Sequence, residues 1–298
     1  MSLQKKLDYV IKLDELNGMS NSMEGYKTET GFYETYMSNY EWDEFLNDME
    51  KNHADMYEMY KNGGGKELDE RKSGNNIYPP KMASYGSSSR MIYNLAKDIE
   101  GFVFEEKLST TVGGIANLDG FIEKDDTYIF VEAKCREPYG TKSSDIEIKY
   151  KDLYKYISES PVTLLNCKII EEKAGKMKVE FLYNGIVIEY FDMKQMICHL
   201  LGIATAFLNG KYSDKNIKFL YLLYNPTLID SPKCKEWDRI TGIYEQTCDE
   251  CNMIDFKVLY SVLFEFLKDK LKISDIQNKS EITFKFCDKN NFIGEVLC

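Results

Sequence analysis

"LDGFIEKDDTYIFVEAK", Leu118 to Lys134, reads as two strands on either side of a tight turn. Asp125-Asp126 is a turn-favouring pair, and the runs 118–124 and 127–135 that flank it are short and rich in β-branched and aromatic residues. With the two aspartates as the loop, Lys124 faces Thr127, Glu123 faces Tyr128 and Asp119 faces Glu132. Directly opposed side chains in an antiparallel pair have Cβ atoms roughly 4.5–5.5 Å apart, and like charges placed so are destabilising. Alternation along the strand sets Lys134 on the face of Glu132, with Phe121 and Phe130, while Ile129, Val131 and Ala133 point the other way. Two acids and one lysine converge, and the cluster calls for a neutralising partner.

A divalent cation would be such a partner. Mg²⁺ prefers oxygen ligands, often takes only one or two carboxylates from protein, and fills its other positions with water and substrate phosphate. Lys134 could then orient or help deprotonate an attacking water, or stabilise the charge that builds on a phosphate as its P–O bond breaks. The expected chemistry is metal-assisted phosphodiester hydrolysis. The competing reading is an ordinary surface ion pair between Glu132 and Lys134 on an exposed hairpin.

Outward from the hairpin, Ser87 or Ser88 can cap a helix through about Glu100, with Met91, Ile92, Leu95, Ala96 and Ile99 at helical spacing and Gly101 as the stop. "FVFEEKL", 102–108, is a strand. Beyond the hairpin, "CREPYGTKSSD" reads as a loop and "IEIKYKDLYKYISES" as a short helix; "TLLNCKII" and "KMKVEFLYNGIVIEYF" read as strands, the second broken by an Asn-Gly turn. Asp192 opens a helix to about Leu208. "IKFLYLLYNP", 217–226, is nearly unbroken apolar sequence, as in a strand covered on both faces and parallel to an earlier one. Without the insert at 136–191, the order is helix, strand, strand, strand, helix, strand, an α/β sandwich around a mixed sheet.

Residues 1–80 read as an accessory helical region, with a helix from Tyr40 to about Asn62, joined by the Gly-, Pro- and Ser-rich "SGNNIYPPKMASYGSSS" to a core at 81–226. Residues 227–298 read as an α+β extension packed on that core, with an amphipathic helix near 254–271 and a strand "ITFKF". The start of the chain lacks the apolar run of a signal peptide, and no segment approaches a membrane span, so a cytoplasmic address and no membrane partner are expected. Net charge is −11, which excludes wholesale attraction to nucleic acid and requires any such contact to be local. The eight cysteines read as reduced thiols. Cys248 and Cys251 form the one CxxC; a zinc site would need two more ligands, with Cys234 and Cys287 nearest, and the alternative is a helix-start turn with two small apolar side chains.

The motifs "LDG" (118–120) and "EAK" (132–134), on the second and third strands of this αβββαβ order, resemble those of the PD-(D/E)XK nuclease superfamily, the restriction-endonuclease-like fold. Leu118 stands where the motif name has proline, and the resemblance covers about residues 87–226 without the insert. It implies that Asp119 and Glu132, with the Ala133 backbone carbonyl, hold Mg²⁺, with Mn²⁺ as a substitute, and that Lys134 lies near the attacking water. It also implies an upstream acid, for which Glu100 is the candidate and Glu106 the runner-up, and a polar residue early on the second core helix. Gln195 fits the latter, with Lys194 beside it and His199 one turn on, although Asp192-x-x-Gln195 is also a capping-box pattern. Arg90 in the serine-rich helix start, and Arg136 and Lys142 past the catalytic strand, are candidate substrate contacts.

The resemblance implies a Mg²⁺-dependent endodeoxyribonuclease of a restriction or defence type, with DNA as partner and a homodimer as one means of cutting both strands. A catalytically inactive binding module on the same fold is the alternative; a scaffold for basic partners would explain the charge but not the paired carboxylates.

Overall fold

The computed structural model describes residues 3–15, 35–63, 66–73, 76–140, 145–212, 215–228, 237–273 and 281–297. Helix α1 (Leu3–Glu15) comes first, followed by α2 (Asn39–Asn52) and α3 (Ala54–Lys61). The single helix expected from Tyr40 to Asn62 is broken at His53, whose extended φ of −139° ends one helix and precedes the next. Ser38 starts α2 with a capping box: its hydroxyl accepts from the Glu41 N–H at 3.3 Å, and the Glu41 carboxylate accepts from the Ser38 N–H at 2.7 Å. A two-stranded ribbon of β1 (Arg71–Ser73) and β2 (Asn76–Tyr78) precedes α4 (Ser88–Ala96), which Ser87 caps.

Strands β3 (Val103–Ser109), β4 (Ile115–Lys124) and β5 (Thr127–Lys134) follow. Asp125 takes a left-handed φ of +49°, which turns the chain sharply enough for β4 and β5 to pair antiparallel in the expected register. The insert forms its own sheet from β6 (Asp145–Glu147), β7 (Leu165–Lys173), β8 (Lys176–Tyr183) and β9 (Ile186–Val187), with α5 (Lys151–Glu159) packed beside it. Asn184 and Gly185, at φ +49° and +80°, make the anticipated turn between β8 and β9. Helix α6 (Met193–Leu208) then leads to β10 (Asn216–Leu223); α7 (Trp237–Met253), α8 (Phe256–Leu271), β11 (Ile282–Cys287) and α9 (Lys289–Leu297) complete the chain.

The central sheet has five strands in the order β11-β10-β5-β4-β3. β10 runs parallel to β5 and β11 parallel to β10, whereas β4 pairs antiparallel with both of its neighbours, so the sheet is mixed. Helices α6 and α8 cover one face over a core that includes Leu118, Phe130, Leu200 and Phe219; α4 and α9 cover the other, over Ile92, Val131, Leu220 and Phe292. Two glycines permit the close approach. A Cβ on Gly202 of α6 would stand 2.7 Å from that of Ala116, and one on Gly120 would stand 2.2 Å from the Phe102 ring.

The boundaries expected at residues 80 and 226 are not breaks in the packing. β11 is an edge strand of the central sheet, and α1 buries Leu7, Val10 and Ile11 in a cluster with Cys135, Tyr139, Tyr224 and Trp237. Helices α1, α7 and α9 and the β1–β2 ribbon are additions to the expected element set. In α7 the stripe Trp237, Ile240, Tyr244, Thr247, Cys251 recurs at helical spacing, but two of its five members are only weakly apolar. Cys248 and Cys251 therefore lie late in a helix rather than at its start, while Cys287 packs in the core on the opposite face of the sheet. Cys234 and Lys142 lie outside the described residues. Among the described residues no helix is long and apolar enough to cross a membrane.

Candidate active site

The β4–β5 ladder runs from Lys124↔Thr127 to Gly120↔Val131 and ends there, one pair short of Asp119 and Glu132. The cause lies on β3. Glu105 has a left-handed φ of +55° and sits between the pairs Phe104↔Gly120 and Glu106↔Leu118, opposite Asp119. Such a residue interrupts the pleat. Phe104 faces the α4 core whereas Leu108 faces the α6 core, and on β4 Leu118 and Phe121 both pack toward α6. The expected face-to-face opposition of Asp119 and Glu132 is thus replaced by a different junction, in which Asp119 Oδ2 accepts a hydrogen bond from the Ala133 N–H at 2.7 Å.

Where the ladder parts, a cavity of about 460 Å³ opens, and Asp119, Glu132, Ala133, Lys134 and Gln195 all line it. Lys134 C=O accepts from the Tyr224 N–H toward β10, so the main chain of Ala133 points the other way, its carbonyl and N–H toward the gap beside Asp119. Glu132 is 1% exposed. Its Oε1 accepts from Lys134 Nζ and, at 2.7 Å, from Gln195 Nε2, and its Oε2 lies 2.9 Å from His199 Nε2. Burial alone would raise the Glu132 pKa, but the Lys134 ammonium and His199 outweigh it and hold the carboxyl at about 2. Burial likewise works against charge on Lys134, and the carboxylates of Glu132, Glu137 and Asp119 together push its pKa well above the ordinary value of 10.5. Asp119 differs: burial first, and the Glu132 charge second, push its carboxyl well above 3.8. The two acids are thus unequal, one ionised through its partners and one held toward its neutral form.

Helix α6 supplies Gln195 and His199 from one face. Asp192 Oδ1 accepts from the Gln195 N–H at 3.0 Å, so the capping contact and the reach of the Gln195 amide to Glu132 coexist. His199 is 2% exposed beneath Glu132 and does not line the cavity, which corrects the expectation of a substrate contact. Lys194 also points away, its Nζ donating to the Asp145 carbonyl at 2.8 Å. Glu100 is exposed on the turn after α4 and does not line the cavity; Glu106 accepts from Lys211 and from the Tyr212 hydroxyl at 2.9 Å on the α6 side of β3. The acid that β3 does present to the cavity is Glu105, joined from the N-terminal segment by Glu67. Burial, then the Glu67 charge, raises the Glu105 pKa, and its Oε2 is buried with no hydrogen-bond partner. The doublet Glu105-Glu106 was the visible signal; regular alternation cannot show which member faces the site when the pleat reverses between them.

Of the two arginines, Arg136 lines the cavity and donates to Asp8 at 2.9 Å. Arg90 does not: it is 6% exposed, pairs with Glu15 at 2.5 Å and lies over the Tyr85 ring at 4.5 Å. Its role is to tie α1 to α4. Arg90→Ala is expected to lower stability by about 2–4 kcal/mol in urea unfolding, because the change leaves Glu15 without its cation.

Among the described residues no group of three or more His, Cys, Asp or Glu side chains is arranged to hold a metal ion. Two carboxylates, Asp119 and Glu132, line one cavity beside a main-chain carbonyl, with Glu105 on the same wall, and oxygen donors of this kind are those a hard cation takes. Ser88 Oγ donates to Glu137 Oε1 at 2.8 Å, and Glu137 Oε2 accepts from the N–H groups of Cys135 and Arg136 at 2.9 and 3.0 Å, which fixes the chain just past Lys134. No protein-family model matches the chain, and neither a curated protein nor a solved structure matches it.

Proposed function

We propose that this cavity hydrolyses phosphodiester bonds in DNA with the help of Mg²⁺ or Mn²⁺, and that the chain carries a restriction-endonuclease-like αβββαβ core formed by α4, β3, β4, β5, α6 and β10. The observation that carries the reading is the meeting of Asp119, Glu132 and Lys134 in one cavity at the end of the β4–β5 ladder. Asp119, Glu132 and the Ala133 carbonyl would hold the cation, which would neutralise the carboxylates and polarise a phosphate oxygen. Gln195 donates to the Glu132 carboxylate and His199 lies beside it, and Lys134 would bring an ammonium close to the phosphoryl oxygens on which negative charge gathers. One water is consumed: its oxygen bonds to phosphorus as the bond to the leaving sugar oxygen breaks, one proton ends on that oxygen, and the products are a phosphate monoester and an alcohol.

The expected result is cleavage of DNA with Mg²⁺ or Mn²⁺ and none with excess EDTA, restored when Mg²⁺ is added back, followed on labelled DNA by gel electrophoresis. Preparations that cleave equally well in EDTA would refute the metal-assisted reading. The second reading, a binding module without catalysis, is favoured by one observation: Glu132 Oε1 already accepts from both Lys134 and Gln195, so a cation that takes this oxygen has to displace them. Binding of DNA with no cleavage under any cation would select it.

A further inference from the structure

We infer that the substrate enters as a flexible, unpaired strand whose sugar-phosphate backbone is gripped without any reading of bases. This deepens the phosphodiesterase reading and rests on it. Three features of the cavity carry the inference. The first is depth. Glu132 and Lys134, the groups that must approach the phosphate, are 1% and 7% exposed, and the space above them is about 460 Å³. That is ample room for several waters, or for the phosphate and sugar that would replace them.

The second is the walls of the cleft. Arg71 and Lys81 from the N-terminal segment stand in the wall of the same cavity as Ser88, Arg136 and Glu137. Glu67 pairs with Lys81 at 2.9 Å and Arg136 with Asp8 of α1, so these walls are tied down. B-DNA is a stiff rod with a persistence length of about 150 base pairs, and its phosphates lie on the outside of a two-stranded body. Seating one of them at the floor of a walled cleft, against side chains this deeply buried, draws the strand away from its partner, at a cost of a few kcal/mol that an unpaired strand does not incur.

The third is the lining itself. Among the described residues it contains five Lys or Arg and five Asp or Glu side chains but no aromatic ring, and Leu118 and Ala133 are its apolar members. Sites that hold an extruded base stack it between aromatic or apolar side chains, and single-strand binders that favour bases do the same. Charged and hydroxyl groups suit the phosphate and sugar instead. Sequence would then go unread.

The test uses the full chain with Mg²⁺ and four DNA substrates in each of two unrelated sequences: a single strand, a duplex with an unpaired overhang, a blunt duplex and a covalently closed circle. The single strand is expected to be cut about 100-fold faster than the circle, which is the rate equivalent of the unpairing cost. Cuts in the overhang substrate should fall in its unpaired part, and the two sequences should be cut at equal rates. Lys107, exposed at the cavity rim, supplies a readout independent of turnover. By fluorescence anisotropy, Lys107→Glu should weaken single-strand binding about tenfold and reduce the slope of log K against log salt by about 0.7 or more. Comparable cutting of circle and single strand, cutting at one sequence alone, or unchanged single-strand binding by Lys107→Glu overturns the inference while leaving hydrolysis standing. Inertness toward all four substrates, with Mg²⁺ and with Mn²⁺, overturns both.

Discussion

Lys134→Met is expected to slow DNA cleavage by about 10²–10⁴-fold, the range for removing a positioned catalytic group, and also to destabilise the fold by about 3–5 kcal/mol. The second effect follows from burial. Glu132 and Lys134 form an ion pair at 2% and 8% side-chain exposure, and taking the ammonium away leaves a carboxylate with little solvent to replace it. A surface hairpin pair would cost at most about 1 kcal/mol, so urea unfolding distinguishes the two situations. The double variant Glu132→Gln/Lys134→Met removes both charges while retaining comparable volume, and should recover most of the lost stability but none of the activity. If the double variant is no more stable than the single one, the pair is not what holds this part of the molecule, and the loss of activity in the single variant would be a folding defect.

Asp119→Asn should move stability and activity in opposite directions. An asparagine oxygen can still accept from the Ala133 N–H, while the substitution removes a carboxylate that burial and the Glu132 charge both disfavour. A gain of about 0.5–2 kcal/mol is expected near neutral pH, together with loss of metal-dependent cleavage, the usual conflict between stability and a strained functional group. The pH dependence has a definite sign. Because the native pKa of Asp119 is raised above its ordinary 3.8, the wild-type protein keeps this contribution in full below 3.8 and loses it as pH rises through the native value. The difference between Asp119→Asn and wild type should therefore be small near pH 4 and grow toward neutrality. Thermal unfolding of both proteins across that range checks it; a difference that shrinks with rising pH would mean that Asp119 is stabilised as an anion. Glu132 behaves in the opposite way, with its contribution present above 4.5 and lost only as pH falls toward about 2.

Much of this architecture was legible because it is written in local signals. The Asp125-Asp126 turn and the alternation around it specified the hairpin register, which holds through Gly120↔Val131. The apolar run at 217–226 marked a strand covered on both faces, and β10 lies between β5 and β11. The capping box expected at Asp192-x-x-Gln195 forms only in its first half, because the Gln195 backbone donates to Asp192 while its side chain reaches Glu132 instead. Other readings failed for identifiable reasons. Arg90 looked like an anion-binding group in a serine-rich helix start, but Glu15, separated by a long stretch of chain, neutralises it. Glu100 ends its segment in an exposed turn, and Glu106 is turned toward Lys211 by a backbone reversal at Glu105 that no residue pattern announces, because a glutamate at positive φ is uncommon.

By itself, then, the amino-acid order determined the periodicities: the strands and helices of the 87–226 core, where the hairpin turns, and that Asp119, Glu132 and Lys134 would come near one another. Only the tertiary structure decided the depth of their burial, the departure of Asp119 from the ladder, the supply of Glu105 and Glu67 to the cavity wall and the removal of Arg90 from it. Periodicity is a property of neighbours along the chain, whereas burial and charge pairing depend on segments such as α1 that arrive from far away in sequence. A carboxyl whose ordinary pKa is near 4 is pushed toward its neutral form, or held as an anion with a pKa of about 2, according to which distant groups are packed against it.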